Sequence, residues 1–159
     1  MEFKKFKNSL NLENINFLLS FKEDGPQWSI SKTKKMEKLY KKFLYLSLLY
    51  PDKMLVPTKD LDEYWHHHIL DTQKYYSDCM NMFGAIFHHY PYLGTKGEDD
   101  LLELNRHFEN TNKLFLKHFS EPLIGENTAC GGGGGSCGGG CKGVINKMNQ
   151  KTTGNTVYN

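Results

Sequence analysis

From Ser31 to Tyr50 the apolar side chains recur three and four residues apart, and that period fixes most of what this chain can become. Met36, Leu39, Tyr40, Phe43, Leu46 and Tyr50 fall on one side of a helical projection, with Lys34, Lys35, Lys38, Lys41 and Lys42 on the other. Pro51 ends the run. The same period appears upstream in SLNLENINFLLSF (9–21), where Leu10, Phe17, Leu18 and Phe21 share a face behind a serine that can cap. It returns after Pro57, where Thr58 or Asp60 can cap an acidic first turn. Leu61, Trp65, His68, Ile69, Thr72, Tyr76, Cys79 and Phe83 then repeat as far as Gly84, which reads as one long helix with a kink near Thr72. A last helix starts at Glu98, Asp99 and Asp100 and buries Leu101, Leu104, Phe108, Phe115 and Phe119.

What lies between and after these helices is different in kind. AIFHHYPYLGTKG (85–97) is too aromatic for a solvated loop and too interrupted by Pro91, Gly94 and Gly97 for a helix, so it reads as a packed connector. Beyond Pro122 stand eleven of the fifteen glycines, eight of them in CGGGGGSCGGGC (130–141), where there are no side chains to build a core. A chain of 159 residues suits one domain. The expectation is an all-α, compact bundle of about four helices with an aromatic connector over residues 1–122, and a disordered Gly/Cys-rich tail over 123–159.

Charge narrows the partners. The first fifty residues carry ten lysines against five acids, and residues 51–122 carry seven bases against twelve acids. Opposed blocks of this kind attract each other within a fold, so the basic half argues little for nucleic acid. The six lysines from Lys32 to Lys42 have few aromatics or arginines among them and read as a solvated face. No apolar run is long enough to span a membrane, and the apolar cluster Asn16 to Phe21 lacks a small-residue cleavage site. A cytoplasmic location is expected, with the four cysteines as thiols. A protein partner remains open.

The chemistry concentrates in DEYWHHHILDTQKYYSDC (62–79) and in His88 and His89. On a helix the three adjacent histidines do not converge. His67, four residues from both Glu63 and Asp71, reads as a solvated ion-pairing position. Asp62 stands four residues before His66, so its carboxylate can accept an imidazole N–H and raise that ring's basicity, as suits a metal ligand or a general base. His68 lies on the apolar stripe. It must find a tyrosine hydroxyl, a backbone carbonyl or a metal, and for one buried histidine the hydrogen-bonded reading is favoured. The connector can fold back to bring one of His88 and His89 to this helix, since adjacent residues point apart. His66, His68, one of His88/His89, and Cys79 or Asp62 would supply the donors that a divalent transition metal (Zn, Fe or Cu) accepts, although the spacing matches no established zinc signature.

The string PTKDLDEYWHHHILDTQKYYSDCMNMFGAIFHHYPYLG resembles the helical domain of the glycine-rich domain-containing protein-like family, known from plant proteins and small bacterial ones, over residues 31–120. The residues carrying the resemblance are Asp62, Trp65, His66 and His68 in D-x-x-W-H-x-H, Leu70, Tyr75, Cys79 and Gly84, and His88, His89, Pro91 and Tyr92 in H-H-x-P-Y. The resemblance implies a helical domain with a Cys/Gly-rich end. It also implies, for plant relatives, links to development and stress and occasional fusion to an RNA-recognition module, which this chain lacks. No enzymatic role comes with it.

Cys130, Cys137 and Cys141 are spaced C-x6-C-x3-C in glycine. They can capture Zn or Cu(I) weakly, serve as the Gly/Ser/Cys core of an azole-modified peptide precursor, or simply belong to a low-complexity spacer. Three functions follow as expectations: a polar Asp/His/Cys site that binds a transition metal, a non-catalytic binding or adaptor module, and a carrier whose tail is modified.

Overall fold

The computed structural model describes residues 2–23, 25–124 and, by backbone alone, 140–145. Six helices and two strands follow in the order α1 (Phe3–Ser9), α2 (Glu13–Phe21), α3 (Ile30–Leu49), α4 (Lys59–Leu70), α5 (Thr72–Phe83), β1 (Phe87–Leu93), α6 (Glu98–Phe119) and β2 (Gly140–Ile145). The fold is helical, as the periodicity predicts. It has six helices rather than about four because α1 precedes the first expected helix and the long helix expected to kink near Thr72 is divided in two. A first break lies between α1 and α2, where Ser9 donates to the Phe6 carbonyl at 2.8 Å, closing the first helix instead of capping the second.

The central helix α3 starts on Ser29, whose hydroxyl accepts from the Lys32 N–H at 3.2 Å. Its apolar face is buried as expected through Met36, Leu39, Tyr40, Phe43 and Leu46, and Leu44 joins them. Helices α1, α2, α4 and α6 all lie against it. In α2 the buried residues are Ile15 and Leu19, not the expected pair Phe17 and Phe21, each of which is 60% exposed. α6 buries Leu104 and Phe115 but leaves Leu101 outside. The lysine face of α3 is tied into the body by Lys32, which meets Asp60 at 2.9 Å, and Lys42, which pairs with Glu121, while Lys41 meets Glu37 of the same helix at 2.6 Å. Basic and acidic blocks do attract one another across the fold. The chain stays packed slightly past the expected boundary at residue 122, since Leu123 is buried and its N–H donates to Asn112 Oδ1 at 2.8 Å.

The second break divides the expected long helix. Asp71, at φ −81° and ψ 75°, ends α4 and caps α5, accepting from the Lys74 N–H at 3.3 Å. Because one residue leaves helical geometry, α5 resumes with a rotated face. Tyr75 is buried where the unbroken pattern puts Tyr76, and Tyr76 and Thr72 are exposed. Gly84, at φ +70°, then closes α5 in the left-handed conformation that glycine adopts without strain.

The aromatic connector is a strand. β1 pairs antiparallel with β2, with Phe87 opposite Ile145, His88 opposite Val144, His89 opposite Gly143 and Tyr90 opposite Lys142. The register slips between Tyr90 and Leu93, and Leu93 pairs with Gly140. Pro91 sits in the slip, where its missing N–H costs no ladder bond. Of the stretch expected to form a disordered tail, the backbone of residues 140–145 is described, and Cys130 and Cys137 lie outside the described residues. No helix among the described residues is long and apolar enough to cross a membrane.

The cap at Asp71 carries a direct expectation. Asp71→Ala should lower unfolding free energy by about 1 kcal/mol in denaturant titrations, and Asp71→Asn by only a few tenths.

Candidate functional site

Three of the polar residues singled out in the sequence converge. Asp62 stands in the first turn of α4, His66 one turn later, and His89 reaches them from β1. Trp65 makes that approach possible: its buried ring stacks on Phe87 at 4.9 Å and 13°, and meets the His89 ring edge-on at 4.8 Å. The indole N–H donates to Tyr75 Oη at 3.0 Å, and that hydroxyl donates in turn to the Phe87 carbonyl. Strand β1 is thus clamped to α4 by its side chains and its backbone. In a strand alternate residues face alternate ways, so His89 turns inward and His88 turns out and is exposed.

Within the cluster His66 Nε2 lies 2.8 Å from His89 Nε2, His89 Nε2 lies 3.3 Å from Asp62 Oδ1, and His66 Nε2 lies 3.6 Å from Asp62 Oδ2. One atom from each residue can be chosen so that all lie within 4.8 Å of one another. The Asp62 and His89 side chains are mostly buried, and that of His66 is 43% exposed, so the group opens to solvent on one side. Two ring nitrogens at 2.8 Å cannot both present lone pairs to each other. A proton or another cation must sit between them.

His68 lies elsewhere. Two residues along α4 from His66, it points into the core with 0% exposure. Its Nδ1 lies 3.0 Å from the Tyr40 hydroxyl and its Nε2 lies 3.0 Å from Asp78 Oδ2. Tyr40 and Tyr75 also meet its ring edge-on. Both nitrogens therefore have protein partners, which removes His68 from the candidate donor set. Asp78 also accepts from Lys74 Nζ at 2.8 Å. Burial pushes the Asp78 carboxyl up, but the hydrogen bonds from His68 and Lys74 and the Lys74 charge outweigh it, so its pKa lies below the ordinary carboxylate value. Cys79 is also separate. It is packed in the core against the Phe87 backbone and Tyr75, and burial raises its thiol pKa, the opposite of an activated thiolate. His67 keeps only half of its expected pairing: it meets Glu63 at 3.3 Å, while Asp71 is engaged as a cap.

A family model described as UCP032817-like matches residues 10–110. The chain belongs to the UCP032817-like family. No curated protein and no solved structure matches it. The UCP032817-like span holds Asp62, His66 and His89 together with the Tyr40–His68–Asp78 network, and it stops short of β2.

Sequence reasoning missed Asp78 as the partner of His68. On an unbroken helix a residue ten positions on lies well round the cylinder, and only the interruption at Asp71 brings it back. The signal was the Asp-Thr pair at 71–72, an N-cap residue inside a helical run.

His68→Ala should cost about 2–4 kcal/mol, since it empties a core position and removes a partner of the Tyr40 hydroxyl and the Asp78 carboxylate. His67→Ala should stay within about 0.5 kcal/mol. Because the Asp78 pKa is lower in the folded state than in the unfolded state, its contribution is present above the ordinary carboxylate range and lost as pH falls through that range. Stability measured between about pH 5 and pH 3 should therefore fall more steeply in the wild type than in Asp78→Asn.

Proposed function

We propose that this protein is a small helical metal-binding domain in which Asp62, His66 and His89 hold a divalent transition metal. The observation that carries this reading is the approach of two imidazole Nε2 atoms to 2.8 Å beside a carboxylate. Donors bound at about 2.0–2.1 Å to a tetrahedral ion stand roughly 3.3 Å apart. The two imidazole nitrogens stand 2.8 Å apart, and each has a different Asp62 oxygen near that spacing, Oδ1 3.3 Å from His89 and Oδ2 3.6 Å from His66. The cluster needs little rearrangement to accept an ion. Two histidines and one carboxylate suit Zn or Fe(II), and Cu is also compatible with the imidazoles.

Position supports the reading as well. Asp62 and His66 are one turn apart on a packed helix, and Trp65 fixes the ring of His89 from the side. Donors held by such neighbours lose little freedom on binding. Three protein ligands leave a coordination position for water or a further donor, and the exposed edge of His66 gives access to it. The two sequence strings that resemble the glycine-rich domain-containing protein-like family, D-x-x-W-H-x-H and H-H-x-P-Y, contribute these three residues.

Protein purified without a histidine tag should carry about one equivalent of Zn, Fe or Cu by elemental analysis. A chelator should lower its thermal midpoint. His66→Ala/His89→Ala should lose both the metal and the chelator effect, while His67→Ala and His88→Ala should keep them. Less than about 0.2 equivalents of every transition metal, unchanged in the double variant, would refute the proposal.

A further inference from the structure

Helix α2 and the start of α3 leave a groove between them that the fold does not fill. Its volume is about 290 Å³, and its wall includes Phe17, Ser20 and Phe21 of α2 with Ile30, Thr33 and Lys34 of α3. Phe17 and Phe21, whose rings meet at 5.5 Å, and Ile30, 55% exposed, present carbon to solvent. The uncharged polar groups of the wall are already engaged: Ser20 and Thr33 share a hydroxyl hydrogen bond at 2.8 Å, and Asn16 bonds Glu37 and Tyr64 at 2.8 and 2.7 Å. The groove therefore offers apolar surface without a polar hook. Its size falls just below the roughly 300–1,000 Å³ of small-molecule sites, so it suits one or two apolar side chains of a polypeptide.

Charge identifies that polypeptide. Lys34 stands at the rim with Lys35 beside it, both exposed and neither in an ion pair among the described residues. The matching surface is on the same chain. In α6, Leu102 is 66% exposed with Leu101 exposed beside it, and Glu98 and Asp99 stand one turn earlier. Those two acids suit the first turn of a helix, yet neither makes an ion pair among the described residues. Glu13, the acid in the groove wall, has its counterpart in Arg106, which is exposed one turn past Leu102. Each surface is an apolar centre flanked by charge, and the two are opposite in sign.

We propose that the groove between α2 and α3 receives the Leu102 face of α6 from a second copy of this chain, so that the protein associates head to tail. The inference is independent of the metal reading. The contact is heterologous: each copy offers its groove to one neighbour and its α6 face to another, which gives rings or open chains rather than a closed two-fold pair. An interface centred on so few apolar side chains is small, so the association is weak and reversible. Its charged rim makes it sensitive to salt.

Sedimentation velocity of the full-length, untagged protein under reducing conditions tests this. At about 0.05 M salt the weight-average mass should climb above the 18.4 kDa of one chain as concentration rises from about 10 μM to about 1 mM. Raising the salt to about 0.5 M should weaken association at least about tenfold. Phe17→Ser/Phe21→Ser and Leu102→Ser alter exposed side chains, and each variant should stay monomeric alone. An equimolar mixture of the two should form a dimer and stop there, because each keeps the surface that the other lacks. Lys34→Glu/Lys35→Glu and Glu98→Lys/Asp99→Lys, which leave the apolar residues in place, should each be monomeric and should associate when mixed. A wild type that stays monomeric at about 1 mM overturns the proposal, whether or not it binds an acidic peptide or an anionic vesicle. Association that survives Leu102→Ser and the Glu98/Asp99 reversal also overturns it, placing groove against groove or the contact elsewhere.

Discussion

The whole arrangement depends on the burial of Trp65. Its ring fills the space between Phe43 and Phe87, and its one polar atom is satisfied by Tyr75. A buried tryptophan of this kind is worth about 3–5 kcal/mol against alanine. More important here is direction. Parallel stacking on Phe87 and edge contact with His89 fix two alternate residues of one strand against one side chain of one helix, which sets both the position and the phase of the strand. Tyr75 closes the same loop through the backbone, since its hydroxyl bonds the Phe87 carbonyl.

Two polar systems share helix α4 and are kept apart by its pitch. His66 and His68 are two residues apart, about 200° round the helix, so one opens towards solvent and the other faces the core. The inner system is closed: Tyr40, His68, Asp78 and Lys74 form a chain whose members all have partners, and no buried side-chain polar atom among the described residues lacks one. Such a network specifies how α3, α4 and α5 pack. The outer system is an Asp/His/His cluster with one edge exposed. Two histidines of one sequence string therefore stand in different surroundings, one closed within the core and one at an edge open to solvent.

Much of this was readable from the chain. The period of three and four set out α3, α4 and α6, and the four-residue spacing of Asp62 and His66 put them on one face. That only one of His88 and His89 could join them followed from the alternation of neighbouring residues. Other features were hidden for physical reasons. Phe17 and Phe21 look like core residues by spacing, yet α2 starts only at Glu13 and buries Ile15 and Leu19 instead. The interruption at Asp71 shifts every later residue of α5, replacing Tyr76 by Tyr75 and bringing Asp78 to His68. The strand at 87–93 was masked by Pro91 and by the distance of its partner, which lies more than forty residues further along a glycine-rich stretch.

The short link from Gly84 to Ile86, between the end of α5 and the start of β1, has a consequence beyond connectivity. Residues along a strand alternate with a period of two, while the anchor on the tryptophan is fixed in space. Because Phe87 and His89 are both held against Trp65, a residue added to that link would be taken up as extra loop and the same imidazole would still face the helix. The length of the connection is thus free to drift while the pairing of ring to helix stays as it is.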